Sequence, residues 1–126
     1  MYEPIRSFED LACWQAAREL RLFIFREIVP ILPSEERFRL SDQMRRASRS
    51  VTANLAEGFG RYHHKENYRF GSNARGSCTE VLDHLITAHD ESLISTELLT
   101  AGRLRVLKAH QLISGYMRYL RRAAQD

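Results

Sequence analysis

Apolar residues in this chain recur every three or four positions through long stretches that no proline interrupts. That rhythm is the tightest constraint on its fold, because an α-helix brings a side chain back to the same face about every 3.6 residues. Cys13, Ala17, Leu20, Ile24 and Ile28 follow at spacings of four, three, four and four. Leu40, Met44, Ala47, Val51 and Leu55 repeat the pattern, as do Val106, Ala109, Ile113, Met117 and Leu120. Val81, Leu82, Leu85 and Ile86 form the clearest apolar face of a further segment, and nowhere is there strand-like alternation.

The punctuation between stripes sets the boundaries. Ser7 with Asp10 three residues on has the form of a capping box, and Pro30 and Pro33 close the helix it opens. Ser34 is placed to cap a second helix whose first turn holds Glu35 and Glu36. Gly58 and Gly60 are expected to end it, since glycine accepts the left-handed backbone of many helix ends. Gly71 and Gly76 each weaken the third helix by about 1 kcal/mol relative to alanine, which suggests close approach to a neighbouring backbone, or a kink. Ser95 and Glu97 open a fourth helix, and Arg121 and Arg122 stand at its negative pole. The expected fold is all-α: one domain over residues 1–126, an antiparallel up-down-up-down four-helix bundle, with helices over about 8–29, 35–58, 64–89 and 96–122.

Composition narrows the setting. The longest bulky apolar run, Leu22 to Phe25, is far too short for a bilayer, and no signal-like segment opens the chain, so a cytoplasmic protein without membrane contact is expected. Two cysteines, Cys13 and Cys78, are too few for a disulfide framework and read as small buried hydrophobes.

The first helix carries a second stripe, Leu11, Trp14, Leu22, Phe25 and Val29, interrupted by Arg18. A helix on the surface of a monomeric bundle needs one apolar face, and large exposed patches are rare on soluble monomers. The stripe therefore points to a subunit interface; the competing account wedges the first helix deeper into its own bundle.

Catalytic chemistry lacks a signature. Di-metal bundles use Glu-x-x-His pairs, and none occurs around His63, His64, His84, His89 or His110. There is no phosphate-cradling glycine loop and no nucleophile motif. No catalytic residue, metal or cofactor is expected, and the chain is not expected to be an enzyme. Ser50, Asn54, Glu57 and Arg61 share one helical face; they read as a polar packing seam facing Ser77 and Glu80 rather than a ligand site, with Glu57 and Arg61 at ion-pair spacing.

Charge is patterned in blocks. Residues 37–79 hold nine basic and three acidic side chains, whereas residues 80–97 hold five acidic and no basic ones. Seventeen of the nineteen basic residues are arginine, the better partner for carboxylate or phosphate. Arg45, Arg46 and Arg49 cluster on the second helix, and Arg61, Lys65 and Arg69 follow around the next connection. Tyr62 and Tyr68 interleave with them as surfaces on which bases could stack. Arg118, Arg121 and Arg122 suggest a further patch. Either these cations bind nucleic acid, or they pair with the acidic blocks of neighbouring helices or subunits.

The segment "SVTANLAEGFGR" (Ser50 to Arg61), then Lys65-Glu66, Arg69-Phe70 and "ARGSCTE" (Ala74 to Glu80), resembles the proteins encoded in intervening sequences of 23S ribosomal RNA genes. Phe8-Glu9-Asp10-Leu11 and Trp14-Gln15-Ala16 extend the resemblance over nearly the whole chain. Accessory variability proteins of diversity-generating retroelements look like distant relatives. The resemblance implies a homopentamer with a central channel. From the retroelement side it implies nucleic-acid binding, RNA or DNA, beside a reverse transcriptase; it implies no enzymatic activity. Two departures are visible: Tyr62-His63-His64 stands where relatives favour a serine-like cap, and Gly71 and Asn73 stand where they favour bulkier apolar residues. The expected function is a non-enzymatic nucleic-acid-binding ring, the alternative being a protein-interaction scaffold that touches no nucleic acid.

Overall fold

In the computed structural model, which describes residues 4–125, Ser7 forms the expected box. Its hydroxyl accepts the Glu9 N–H at 3.2 Å, and the Asp10 carboxylate accepts the N–H groups of Arg6 and Ser7 at 2.9 and 3.0 Å. Those two backbone donors hold the Asp10 carboxyl below its ordinary range. What the box caps, however, is a single 3-10 turn, Phe8–Asp10, because the backbone at Leu11 is extended. The first helix, α1, is Ala12–Phe23; a widened π turn, Ile24–Ile28, and a 3-10 turn, Val29–Ile31, continue it. The widening comes just before Pro30, which has no N–H with which to continue the ladder. The helix expected over residues 8–29 is thus a separate 3-10 turn, a break at Leu11, and then α, π and 3-10 geometry in succession.

The second boundary also moves. Ser34 makes no side-chain cap, Ser34–Glu36 is a 3-10 turn, and α2 is Leu40–Phe59. The cap comes from Glu36, whose carboxylate accepts the Leu40 N–H at 3.1 Å. Leu40 is also the first residue of the second stripe to be buried, so packing and cap select the same start.

α3 is His64–Asp90 and α4 is Thr96–Gln125, and the Ser95 hydroxyl accepts the Leu98 N–H at 3.2 Å. No glycine among the described residues has positive φ, which corrects the role expected of Gly58 and Gly60. Gly60 is right-handed, at φ −73°; Gly58 is buried, and a Cβ there would lie 2.6 Å from Asn67 Oδ1 and 2.7 Å from Phe70 Cβ. Gly58 therefore permits α2 and α3 to touch. Gly71 does the same for α3 and α4, with Met117 Cγ 2.9 Å from where its Cβ would be, but Gly76 faces open space and brings no backbone close.

The contacts fix the topology. Between α2 and α3, Ser50 meets Ser77 and Gly58 meets Asn67; between α3 and α4, Asn67 meets Tyr116, Arg75 meets Ser114 and Leu85 meets Gly102. Between α1 and α4, Glu19 meets Lys108 and Phe23 meets Arg105. In each pair residue numbers rise along one helix as they fall along the other, so consecutive helices run antiparallel and α4 closes against α1. The stripes of α1, its π turn and α2 through α4 meet inside, with Leu20, Ile24, Ile28, Met44, Val51, Leu55, Val81, Leu85, Val106 and Ile113 fully buried. Each such aliphatic side chain contributes about 1.5–3 kcal/mol relative to exposure. No strand forms among the described residues, and none of their helices is long and apolar enough to cross a membrane.

Candidate nucleic-acid interface

Of the six basic residues singled out from sequence, two are occupied within the chain. Arg46 Nε lies 3.0 Å from Asp42 Oδ2. Arg61 Nη2 lies 3.2 Å from Glu57, its Nη1 lies 3.8 Å from Glu66, and the guanidinium sits over the Phe70 ring. Among the described residues the only other pair of unlike charges is Lys108 with Glu19, and the His84 ring lies 3.0 Å from the Glu80 carboxylate. Arg45, Arg49, Lys65 and Arg69 therefore keep their charge for something else. They do not form one patch, since the structure distributes them between two grooves.

The first groove runs between α1 and α2, encloses about 200 Å³, and is lined by Arg21, Leu22, Phe25, Arg45, Ser48 and Arg49. One turn of α2 separates Arg45 from Arg49, while Arg21 stands near the end of α1 and Phe25 in the π turn that follows it, so the two helices present their cations to the same space. Arg21 donates to Thr52 Oγ1 at 2.8 Å, and the Thr52 hydroxyl donates to the Arg49 carbonyl at 3.2 Å, which fixes the register. Partial burial, then the charges of Arg18 and Arg49, push the Arg21 guanidinium below its ordinary range. The buried Arg45 Nε has no hydrogen-bond partner. Three cations stand around an apolar floor with no carboxylate lining it among the described residues, a charge arrangement that attracts anions.

The second groove lies between the start of α3 and the end of α4, encloses about 480 Å³, and is lined by Lys65, Tyr68, Arg69, Arg121, Ala124 and Gln125. Arg121, expected only as part of a separate patch, joins Lys65 and Arg69 because α4 ends where α3 begins. Tyr68 is half-buried against the core, so of the two tyrosines expected to stack, Tyr62 alone stands free, at 98% exposure. Arg21 escaped the sequence reading because it belongs to a helix read for its apolar stripes; its spacing of four from Phe25 is the signal that places it beside that ring.

The second apolar stripe of the first helix divides. Leu11 is buried in the chain's own core, and Trp14 and Val29 are half-buried against it, Trp14 lying edge-on to Phe8 at 5.2 Å. Leu11 thus belongs to the chain's own core, while Trp14 and Val29 rest on it and keep part of their surface outside. Leu22 is half-buried and Phe25 is 54% exposed, and both line the arginine groove. The polar seam is narrower than expected. The Ser77 hydroxyl donates to Ser50 Oγ at 2.9 Å, and Asn54 Nδ2 donates to the Ser50 carbonyl and hydroxyl at 2.8 and 2.9 Å. Glu57 turns to Arg61 and Glu80 to His84 instead.

Burial pushes the Cys13 thiol up to about 11 and the Cys78 thiol up to about 12, so both stay protonated near neutral pH, where a thiol is a poor nucleophile. Among the described residues no group of His, Cys, Asp and Glu side chains is arranged to hold a metal ion.

No curated protein matches this chain. A family model described as "23S rRNA-intervening sequence protein" matches residues 9–115, from the opening 3-10 turn to the second half of α4, and takes in the first arginine groove and the Gly58 contact between α2 and α3. The chain belongs to the 23S rRNA-intervening sequence protein family.

Proposed function

We propose that this protein is a non-enzymatic cytoplasmic homo-oligomer, a ring of five copies, that binds RNA or DNA through its two basic grooves. The observation that carries this is the state of the cations: among the described residues, Arg21, Arg45, Arg49, Lys65, Arg69 and Arg121 line grooves that show no carboxylate and enter no ion pair. Arginine forks suit phosphate, and repetition around a ring multiplies a weak patch by avidity. The subunit number follows from the family resemblance, as does a reverse transcriptase or other protein as a further partner. Phe25 and Leu22 supply apolar surface for contact between copies.

The test is a titration of labelled structured RNA and duplex DNA at low and moderate salt, with wild-type protein and an Arg45→Gln/Arg49→Gln variant. Affinity should fall steeply with salt, by a slope of about −0.9 per neutralised phosphate on duplex, and should fall again in the variant. No binding at low salt ends the proposal.

A scaffold ring without nucleic acid is favoured by a different observation. Asp83, Asp90, Glu91 and Glu97 are exposed and enter no ion pair among the described residues, so they are free to meet a neighbour's arginines. In that case Arg45→Gln/Arg49→Gln should lower the molar mass measured by light scattering. Phe25→Glu should lower it under either reading, and a wild-type monomer removes both rings.

A further inference from the structure

Three depressions adjoin at the end of the bundle where α2 passes into α3 and α4 finishes. The first, about 460 Å³, is walled by Tyr62, His63, His64, Tyr116 and Tyr119. The second, about 440 Å³, shares Tyr62, His63 and His64 with it and adds Lys65. The third is the Lys65–Arg69–Arg121 groove, which shares Lys65 and Ala124 with the second. Shared walls make the three one path, aromatic at one end and cationic at the other.

Two features set this path apart from a merely solvated surface. Its rings stand in water: Tyr62 is 98% exposed and Tyr119 is 59% exposed. Tyr119 is nevertheless held in place, lying 6.3 Å from the Tyr116 ring at an interplanar angle of 15° and edge-on to His64 at 6.5 Å. The Tyr116 hydroxyl in turn accepts from the buried Asn67 amide at 2.8 Å. A ring fixed before binding loses little freedom on binding. Among the described residues Glu66 is the only carboxylate on the walls of this path, and it is paired with Arg61.

We propose that this path is a track for single-stranded nucleic acid, with bases stacking on Tyr62 and Tyr119 and phosphates meeting Lys65, Arg69 and Arg121. The proposal rests on the nucleic-acid reading above and specifies the form of strand. A duplex hides its base faces in its own stack and offers these tyrosines nothing, whereas an unpaired strand offers a face at every base.

The experiment uses the whole protein and a fluorescent oligonucleotide of about ten nucleotides without self-complementarity, as RNA, as DNA, and as the DNA duplex. Both tyrosines are solvent-exposed, so Tyr62→Ala/Tyr119→Ala should keep the wild-type circular dichroism. That variant should bind both single strands at least about tenfold more weakly, with duplex affinity unchanged, and Tyr62→Phe/Tyr119→Phe should restore binding. Unchanged single-strand affinity in the alanine variant overturns the track, as does an equal loss on duplex or a loss confined to one sugar type. If single strands bind but respond only to Arg21→Gln/Arg45→Gln/Arg49→Gln, the track falls while the wider function stands. If no form binds the wild type, both fall.

Discussion

The bundle's two ends reverse the chain by opposite means. At one end, α2 gives way to α3 through residues 60–63 with glycines at Gly58 and Gly60, yet neither glycine uses a left-handed backbone. At the other, α3 gives way to α4 without any glycine, and Ser92 takes φ 62°. There the Leu93 N–H reaches the Ala88 carbonyl at 2.8 Å and the Ser92 N–H reaches the His89 carbonyl at 3.0 Å, the paired bonds of a Schellman end. Gly58 is thus placed for closeness, and the turn that needs glycine's freedom does without it. The surfaces differ in the same sense. The first end leaves Tyr62, Tyr119, Lys65 and Arg121 outside; the second tucks Ile94 in and presents Asp90, Glu91 and Glu97.

The largest effect should come from the glycine that brings α2 against α3. Gly58→Ala puts a Cβ within 3 Å of Asn67 Oδ1 and Phe70 Cβ, and Phe70 Cβ sits on α3's backbone and cannot swing aside. A loss of about 2 kcal/mol is expected, read as a melting temperature lower by roughly 6–10 °C. A Gly60→Ala variant, whose Cβ would meet only ordinary contacts at 3.4 Å and beyond, should melt close to wild type. Equal melting of the two variants would break the claim that closeness is what Gly58 provides.

The next effect concerns charge at the two ends. Lys65→Gln/Arg121→Gln should weaken binding of a single-stranded oligonucleotide about tenfold and reduce the salt slope by about 1.4, the contribution of two phosphate contacts. Asp90→Asn/Glu91→Gln, at the far end and beyond a screening length of about 10 Å at 0.1 M salt, should change affinity little. A matching change from both pairs would mean that net charge governs binding, and the functional contrast between the ends would be lost.

The apolar stripes were legible because burial and helical period are the same physical fact seen twice, and every residue of the α2 and α4 stripes lies inside. The helix starts were less legible. Ser34 has the right chemistry for a cap but sits six residues before the first buried residue of its helix, and Glu36, a less usual cap, is at the right distance. The candidate site was legible as a set of arginines and not as a geometry. Arg45 and Arg49 are neighbours on one helix, but their partner Arg21 comes from another, and only packing places it there. The Asp42 and Glu57 carboxylates that occupy Arg46 and Arg61 are each four residues upstream, a spacing that sequence does display.

A smaller effect, of opposite sign, is expected at the glycine-free turn. Ser92 occupies left-handed backbone that disfavours a Cβ by about 1–2 kcal/mol, part of which an L residue recovers in the unfolded chain. Ser92→Gly should therefore stabilise the protein by about 1 kcal/mol, a rise of roughly 3–5 °C, without altering binding at the opposite end. A lower melting temperature would show that the Ser92 side chain contributes more there than its backbone strain removes.

The smallest effect separates two glycines of one helix. Gly76 is exposed, and its Cβ would meet nothing within 4 Å, so Gly76→Ala should add helix propensity alone, about 0.5–1 kcal/mol. Gly71 is buried beneath Met117, and the same propensity gain in Gly71→Ala is opposed by a contact of 2.9 Å with Met117 Cγ. Met117 is a flexible side chain, so it yields in part, and the net change at Gly71 should fall below that at Gly76. Thermal melts of the two variants give the difference directly. A Gly71→Ala protein as stable as Gly76→Ala would mean that α3 and α4 have slack at their crossing, and that close approach explains Gly58 but not Gly71.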